Sequence, residues 1–191
     1  MTAETAWGFP DHLRPQAETL SFDLQPALDA MLLVRAEVPE DAFTAVSLGT
    51  ERIGNGIAIG TDGLVLTIGY LITEASAVWL TTNQGQVCEA HPLAVDQASG
   101  LGLLLPLQRL SIPTLSIGSA TALQVDRPVS VISHGGQAHA LQARVVSCRA
   151  FAGYWEYVLP RAIYTAPAHP QWGGSALLDE AGQLVGVGSL L

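Results

Sequence analysis

The sequence predicts an all-β protein of two antiparallel six-stranded-type β-barrels, preceded by a short N-terminal extension. Short β-prone segments recur along the chain, turn signals separate them, and the series restarts after a linker with two prolines. The stretches 60–63 and 83–85 have the Gly, Asn and Asp content of hairpin turns. We assign residues 1–24 to the extension, 25–110 to the first barrel and 111–191 to the second.

The individual elements follow in chain order. Residues 24–34 are ambiguous, because a helical turn after Pro26 runs into an apolar stretch. Residues 106–113 form the proline-containing linker. The β-prone segments of the first series are 57–59, 64–67, 78–82, 86–95 and 99–105; those of the second are 115–117, 129–133, 141–147, 157–159, 163–166, 175–178 and 184–190.

The composition is that of a folded chain with a substantial core. Hydrophobic residues make up 49% and charged residues 13% of the 191 positions, which argues against disorder. No apolar run reaches the roughly 18 residues of a membrane span. Residues 1–10 have neither a basic start nor an apolar stretch, so we expect no secretory signal and a cytoplasmic location.

The charge balance excludes some partners. The net charge is −9, and all eight basic residues are arginine. A surface of this sign repels phosphate, so neither nucleic acid nor an anionic membrane is an expected partner. Within the acidic opening segment, the apolar residues Trp7, Phe9 and Leu13 are expected to tie the segment to the body of the protein.

The cysteine count indicates no disulfide framework. Cys88 and Cys148 fall in different predicted barrels, each in a strand. Two free core thiols are the simplest interpretation. We predict no cofactor.

Four stretches carry a more specific signal. Residues 54–67 read GNGIAIGTDGLVLT and residues 95–104 read VDQASGLGLL. They resemble the G-S-G-[VI]-x-I-x-x-x-G-x-[VI]-L-T and D-x-x-x-D-L-A-[VL]-L motifs of HtrA/Deg-type trypsin-like serine proteases. Residues 118–133 and 170–186 resemble that family's G-S-S-x-x-L-x-V-G-D-x-V and P-G-N-S-G-G-P-L motifs, in the family's order. The resemblance covers about residues 50–190 and implies the trypsin-like double barrel.

The family's catalytic positions hold other residues here. The resemblance places Tyr70 where the family has its His, and Gly100 where it has its Asp. For the Ser, matching 172–174 to S-G-G points to Trp172, whereas matching both flanks without a gap points to Gly173, which we prefer. We therefore expect a catalytically degenerate member without a PDZ domain.

These replacements remove the chemistry of the triad. A serine hydroxyl attacks only after a neighbouring His accepts its proton, and a phenol titrating near pH ~10 is a poor base at neutral pH. Losing the whole unit costs on the order of 10⁶-fold in turnover. The resemblance also puts Gln171 at the glycine of the oxyanion turn, so that Gln171 and Trp172 alter that loop. We predict that the protein is not an enzyme.

The expected function is that of a non-catalytic pseudoprotease: a protein-binding, scaffold or assembly module. The resemblance implies a peptide groove between the barrels, so the expected partner is a protein or peptide, or a second copy of the chain. One alternative is a residual or novel serine hydrolase using a displaced Ser175 with His169 nearby. Another is a metal or small-molecule sensor around His134 and His139, although a third metal ligand at a diagnostic spacing is absent.

Large aromatic side chains are the candidates for a binding surface. Tyr154, Trp155 and Tyr157 form a dense group of the residue types that dominate interface hot spots. Trp172 would fill or cover the old cleft, which makes it the fourth candidate. The ring of Tyr70 is expected to fill space left by the glycines at the other two catalytic positions.

Overall fold

The computed structural model describes residues 7–60, 63–153 and 158–189 and has two β-sheets. The first sheet is a closed barrel of six strands in the order β1-β2-β3-β6-β5-β4, in which β1 pairs with both β2 and β4. Its strands are β1 (Met31–Glu37), β2 (Glu51–Ile59), β3 (Leu64–Ile68), β4 (Ala77–Thr82), β5 (Val87–Asp96) and β6 (Leu101–Pro106).

Each strand of the barrel turns one face towards its core. Buried and half-buried positions alternate along β4, as expected for a strand with one face turned inward. The interior is filled by fully buried aliphatic side chains contributed by neighbouring strands, among them Leu32, Val34, Val65, Leu80 and Leu104. The predicted first barrel is confirmed as a closed structure.

The second sheet is curled but not closed within the described residues. It has five strands in the order β11-β10-β7-β8-β9, all paired antiparallel. Leu141 and Val145 of β8 lie at the centre of its separate core. Its strands are β7 (Pro128–Ile132), β8 (Ala140–Ala152), β9 (Val158–Ala166), β10 (Ala176–Leu178) and β11 (Leu184–Val187).

Several strand predictions need correction. The segments predicted as separate strands at 157–159 and 163–166 are, within the described residues, one strand, β9, and β11 ends at Val187 although the prediction extended to 190. β6 begins at Leu101 rather than at residue 99, because a turn closes first: the Asp96 carboxylate accepts from the Ser99 hydroxyl at 2.6 Å, and Gly100 adopts φ +74°. The segment 115–117 makes only isolated parallel bridges to Ile59 and Leu184 instead of a strand. The predicted turn at 83–85 is confirmed, with Gly85 at φ +84°.

The N-terminal extension runs across both cores. Phe9 and Leu13 pack against the second core, whereas Leu20 and Phe22 pack against the first. The ambiguous region 24–34 resolves into α1 (Leu24–Asp29), capped by the Asp23 carboxylate, and then β1. A short helix α2 (Ala45–Leu48) lies between β1 and β2. None of the helices in the described residues is long and apolar enough to span a membrane.

The two cysteines are free thiols in different sheets, as predicted. Cys88 is buried in the first core, and this burial raises the pKa of its thiol. Cys148 is half-buried against the second core.

Candidate functional site

A cavity of about 300 Å³ lies at the junction of the two sheets. The first sheet contributes Leu33 from β1 and Ile53 from β2, and the loop before β10 contributes Trp172. The remaining lining residues are Gly54, Asn55, Tyr70, Pro170, Gln171 and Gly173. The cavity therefore brings together two of the three predicted triad positions, Tyr70 and Gly173, with Gln171 and Trp172 of the altered oxyanion loop.

Tyr70 sits in the single 3₁₀ turn Gly69–Leu71 that follows β3. Its ring is half-buried against the first core, and its hydroxyl donates a hydrogen bond to the carbonyl oxygen of Ser189 at 3.3 Å. The Trp172 ring lies next to it, with the two centroids 6.2 Å apart and the planes tilted by 59°. The two aromatic rings thus form one wall of the cavity and leave space beside them.

Gly173 faces the Tyr70 hydroxyl directly. A Cβ atom on Gly173 would lie 2.8 Å from that oxygen, which is closer than real Cβ contacts allow. The hydroxyl of Tyr70 therefore takes the space that any side chain at position 173 would need. This contact pairs the residue at the family's His position with the residue at its Ser position.

Gly100 lies beside the same 3₁₀ turn. The backbone N–H of Gly69 donates to the Gly100 carbonyl at 2.7 Å, which holds position 100 next to Tyr70. With φ +74°, Gly100 has a backbone conformation that residues with a Cβ rarely adopt. The three residues that the resemblance assigns to the catalytic positions, Tyr70, Gly100 and Gly173, therefore belong to neighbouring segments of the structure.

The loop that contains Gln171 and Trp172 is held by hydrogen bonds to His169 and Ser133. The backbone N–H of Gln171, at a donor position of the resemblance, donates to His169 Nδ1 at 3.0 Å. The Gln171 side-chain oxygen accepts from the Ser133 hydroxyl at 3.1 Å. The backbone N–H of Gln171 is therefore already engaged by an imidazole.

Asn55 is a site residue that the sequence reasoning missed. It is 3% exposed, and its side chain makes three hydrogen bonds. Its Nδ2 donates to the carbonyl oxygens of Gln171 at 2.9 Å and Gly173 at 3.0 Å, while its Oδ1 accepts from the His134 backbone N–H at 2.8 Å. The available signal was the departure from G-S-G to G-N-G in the motif at 54–56.

The residues of the two alternative functions lie in less accessible surroundings. Ser175 is 1% exposed and does not line the cavity. His169 is 4% exposed, with Nε2 contacting the His139 carbonyl at 2.8 Å and Nδ1 accepting from Gln171. Both ring nitrogens of His139 already contact carbonyl oxygens, those of His134 and Trp7, each at 2.9 Å.

The described part of the chain contains no group of three or more His, Cys, Asp or Glu arranged to hold a metal.

Burial depresses the basicity of two of these imidazoles. Desolvation lowers the pKa of His169, and the nearby His139 lowers it further, although a hydrogen bond to the backbone of His139 works in the opposite direction. The pKa of His134 is lowered first by desolvation and then by His139. Both rings therefore favour the neutral form at neutral pH.

Tyr154, Trp155 and Tyr157, three of the predicted partner-binding residues, lie outside the described residues. Trp172, the fourth, lines the cavity.

A closed barrel and a second curled sheet, with a cavity at their junction, define a protein of the trypsin-like double-barrel class. A family model described as the trypsin-like peptidase domain matches residues 54–187. The chain belongs to this family, and its fold is of the HtrA/Deg type.

Known relatives agree with this assignment. The chain is 24% identical over 144 residues to a probable periplasmic serine endoprotease DegP-like of Halomonas elongata, covering 72% of this chain and 29% of that protein. It is 26% identical over 140 residues to a protein of the same description from Pseudomonas fluorescens, covering 73% of this chain and 29% of that protein. The chain therefore spans less than a third of these relatives.

Solved structures show the same fold. The Rv3671c protease from M. tuberculosis in its active form superimposes with a TM-score of 0.70 at 17% identity, covering 92% of this chain and 76% of that chain. The HtrA-type protease AlgW with tripeptide gives a TM-score of 0.68 at 17% identity, covering 86% of this chain and 52% of that chain.

Proposed function

We propose that this protein is a catalytically silent trypsin-like domain that binds a segment of another polypeptide at the cavity between its sheets. The observation that carries the proposal is the close fit of the Tyr70 hydroxyl against Gly173, the two residues that the resemblance assigns to the positions of the base and the nucleophile. The diverted N–H of Gln171 supports the same conclusion for the oxyanion site.

The cavity favours an apolar anchor side chain. Leu33 and the half-exposed Ile53 form one side, and Tyr70 and Trp172 form the other. The side chain of Asn55 is already committed to three backbone partners, so it offers the ligand little. At about 300 Å³, the cavity has the size of a small binding pocket, which accepts one or two apolar side chains.

A cationic group lies next to this pocket. Exposed Arg35 of β1 is directly opposite Ile53 of β2, and on its other side opposite Trp79 of β4. The two ion pairs among the described residues, Arg14–Asp11 and Arg127–Glu180, do not involve it. The exposed guanidinium of Arg35 attracts a carboxylate at this place, against the overall charge of −9 of the chain. The proposed ligand is therefore a peptide with an apolar anchor and a neighbouring acidic residue.

Selection from a random peptide library displayed on phage tests the binding half of the proposal. We expect enrichment of peptides that combine an apolar residue with Asp or Glu. Ile53→Ser and Trp172→Ala should each weaken binding about tenfold or more, because burial of one such side chain stabilises by about 1.5–3 kcal/mol. Arg35→Gln should weaken binding and reduce its salt dependence.

The matched control is Val125→Ser, which also changes an exposed aliphatic residue, 52% exposed against 56% for Ile53, but one that does not line the cavity. This variant should bind like the wild type. A library that yields no enriched peptide, or peptides whose affinity ignores Ile53→Ser, would contradict the proposed binding site.

An active-site serine probe tests the proposed lack of catalytic activity. Fluorophosphonate should label neither the wild type nor Ser175→Ala above background, since Ser175 is buried away from the cavity. Labelling at Ser175 that disappears in Ser175→Ala would establish the hydrolase alternative instead.

The cytoplasmic location and the homo-oligomer stay predictions. Fractionation of the native cells tests the location, and sedimentation of the purified protein tests the oligomeric state.

A further inference from the structure

The N-terminal segment Trp7–Phe9 rests on the turn that precedes β8. The indole of Trp7 stacks on the imidazole of His139, with ring centroids 4.2 Å apart and an interplanar angle of 16°. The Phe9 backbone N–H donates to the Ala138 carbonyl at 2.9 Å. The Phe9 ring also meets the His169 ring edge-on at 5.1 Å. The segment therefore covers two of the histidines next to the binding cavity.

His139 has two acceptors and no donor around its ring. Nδ1 lies 2.9 Å from the His134 carbonyl oxygen, and Nε2 lies 2.9 Å from the Trp7 carbonyl oxygen. A carbonyl only accepts, so both ring nitrogens must carry hydrogen for both contacts to be hydrogen bonds. Only the imidazolium form meets this condition. The stacked indole face of Trp7 further favours a cation at this position.

His169 shows the opposite pattern. Its Nδ1 accepts from the Gln171 N–H at 3.0 Å, so this nitrogen carries no hydrogen, while Nε2 donates to the His139 carbonyl at 2.8 Å. His169 is therefore held neutral. It connects the backbone of His139 to Gln171, which lines the cavity.

Other charged groups occur on the elements that pack around this turn. The N-terminal segment carries Arg14 and Asp11, which are paired with each other at 2.6 Å. Burial lowers the pKa values of the adjacent His134 and His169, so these two rings favour the neutral form. The neighbouring elements also carry His12 in the segment, Asp23 and Asp29 at α1, and Arg144, Cys148 and Arg149 on β8.

We propose that His139 is a proton-dependent latch: its imidazolium holds Trp7–Phe9 on the second sheet, and deprotonation releases the segment. In the neutral ring one nitrogen lone pair faces a carbonyl oxygen, so one hydrogen bond to a charged group is lost and replaced by repulsion. A charge-assisted hydrogen bond of this kind shifts such an equilibrium about tenfold or more. Histidine changes charge in the pH range of cells. A fall in pH therefore closes the latch, and a rise in pH releases the segment.

The latch also regulates the cavity, and this part rests on the proposed function. The closed segment covers His169, which fixes Gln171 in the cavity wall. Release of the segment uncovers His169 and loosens the part of the cavity wall that Gln171 forms. The binding pocket is therefore less pre-organised at a pH above the opening of the latch. Peptide affinity should therefore fall as the segment opens, by up to about tenfold.

Fluorine NMR of protein labelled with 5-fluorotryptophan tests the latch directly. The Trp7 resonance, assigned from Trp7→Phe, should move from a packed to a free position between about pH 5.5 and about pH 8.5. Its midpoint should equal that of the His139 ring ¹⁵N titration in the same sample. His139→Gln should hold Trp7 in the free position at both pH values.

The matched control is His91→Gln, which removes an exposed histidine on β5, in the other sheet, and should keep the wild-type titration. A Trp7 resonance that does not change over this range would overturn the latch, as would a response that persists in His139→Gln. The wild-type titration needs no variant, so a folding defect of His139→Gln does not remove the test.

Peptide affinity measured at the two pH values separates the two proposals. A peptide that binds equally at both would overturn the coupling of the latch to the cavity. Failure to find any binding peptide would count against the proposed function, while the Trp7 resonance would still decide the latch.

Discussion

Tyr70 and Gly173 form a complementary pair. Tyr70 brings a hydroxyl to within 2.8 Å of the point where a Cβ on residue 173 would lie, and the absence of that Cβ makes the contact possible. The same hydroxyl bonds the Ser189 carbonyl at 3.3 Å. A serine introduced at position 173 would therefore require the Tyr70 hydroxyl to move.

This complementarity makes a prediction about stability. Gly173→Ala should lower the free energy of unfolding by about 1–2 kcal/mol, because the new methyl group displaces the Tyr70 hydroxyl from a packed position. The backbone of Gly173 is not in the left-handed region, so strain in the main chain does not contribute. Urea unfolding monitored by circular dichroism measures the change.

The double variant separates this cause from others. In a Tyr70→Phe background the hydroxyl is gone, so the added cost of Gly173→Ala should fall below about 0.5 kcal/mol. An equal cost in both backgrounds would mean that the methyl group collides with something other than the phenol.

At the scale of elements, the connection between β1 and β2 is held by a buried arginine. Arg52 is 4% exposed and donates from Nη1 to the carbonyls of Tyr70 at 2.7 Å and Thr73 at 2.9 Å. Its Nη2 donates to the Thr44 hydroxyl at 2.7 Å. Glu74 accepts from the same hydroxyl at 2.5 Å, and this bond is the main reason why the pKa of Glu74 is lowered. The connection is thus fixed to the turn that carries Tyr70.

Arg52→Met should destabilise the protein by about 2–4 kcal/mol, since it leaves several carbonyl groups without their donor. The loop 38–50 should also become more susceptible to limited proteolysis. The control is Arg35→Met, the same change at an exposed arginine two strand positions from Leu33, which should cost less than about 0.5 kcal/mol. Equal stability of the two variants would show that the buried network contributes nothing.

For the whole molecule, Asn55 joins the two sheets. It belongs to β2 of the barrel, yet its side chain bonds the loop before β10 and the turn before β8. Its backbone N–H also donates to the Gly173 carbonyl at 2.8 Å. Asn55 therefore helps to fix the position of the cavity wall relative to the barrel through both its side chain and its backbone N–H.

Asn55→Ala should lower stability by about 2–4 kcal/mol and accelerate amide hydrogen exchange in residues 170–173. Asn83→Ala is the matched control. The Asn83 side chain also binds the turn before β8, where it accepts from the Gly135 N–H at 2.9 Å, but it makes no hydrogen bond to the loop 170–173. If both variants accelerate exchange in 170–173 equally, Asn55 is not what holds the loop.

The sequence by itself determined the all-β class and the order of the family motifs, and it led to the prediction that Tyr70, Gly100 and Gly173 stand at the three triad positions. These follow from local patterns: strand alternation, turn residues and an ordered set of family motifs lie in short stretches of chain. It also predicted that Trp7, Phe9 and Leu13 tie the extension to the body, because apolar residues in an acidic segment need a surface to bury them.

Tertiary structure alone decided how these positions are used. The role of Asn55 depends on partners 79, 116 and 118 residues away in the chain, which no local pattern specifies. The different hydrogen-bonding surroundings of His139 and His169 depend on which carbonyls and N–H groups face each ring nitrogen. Hydrogen-bond direction and the space around Gly173 are set by long-range packing of two sheets, and for that physical reason they were not readable from the sequence.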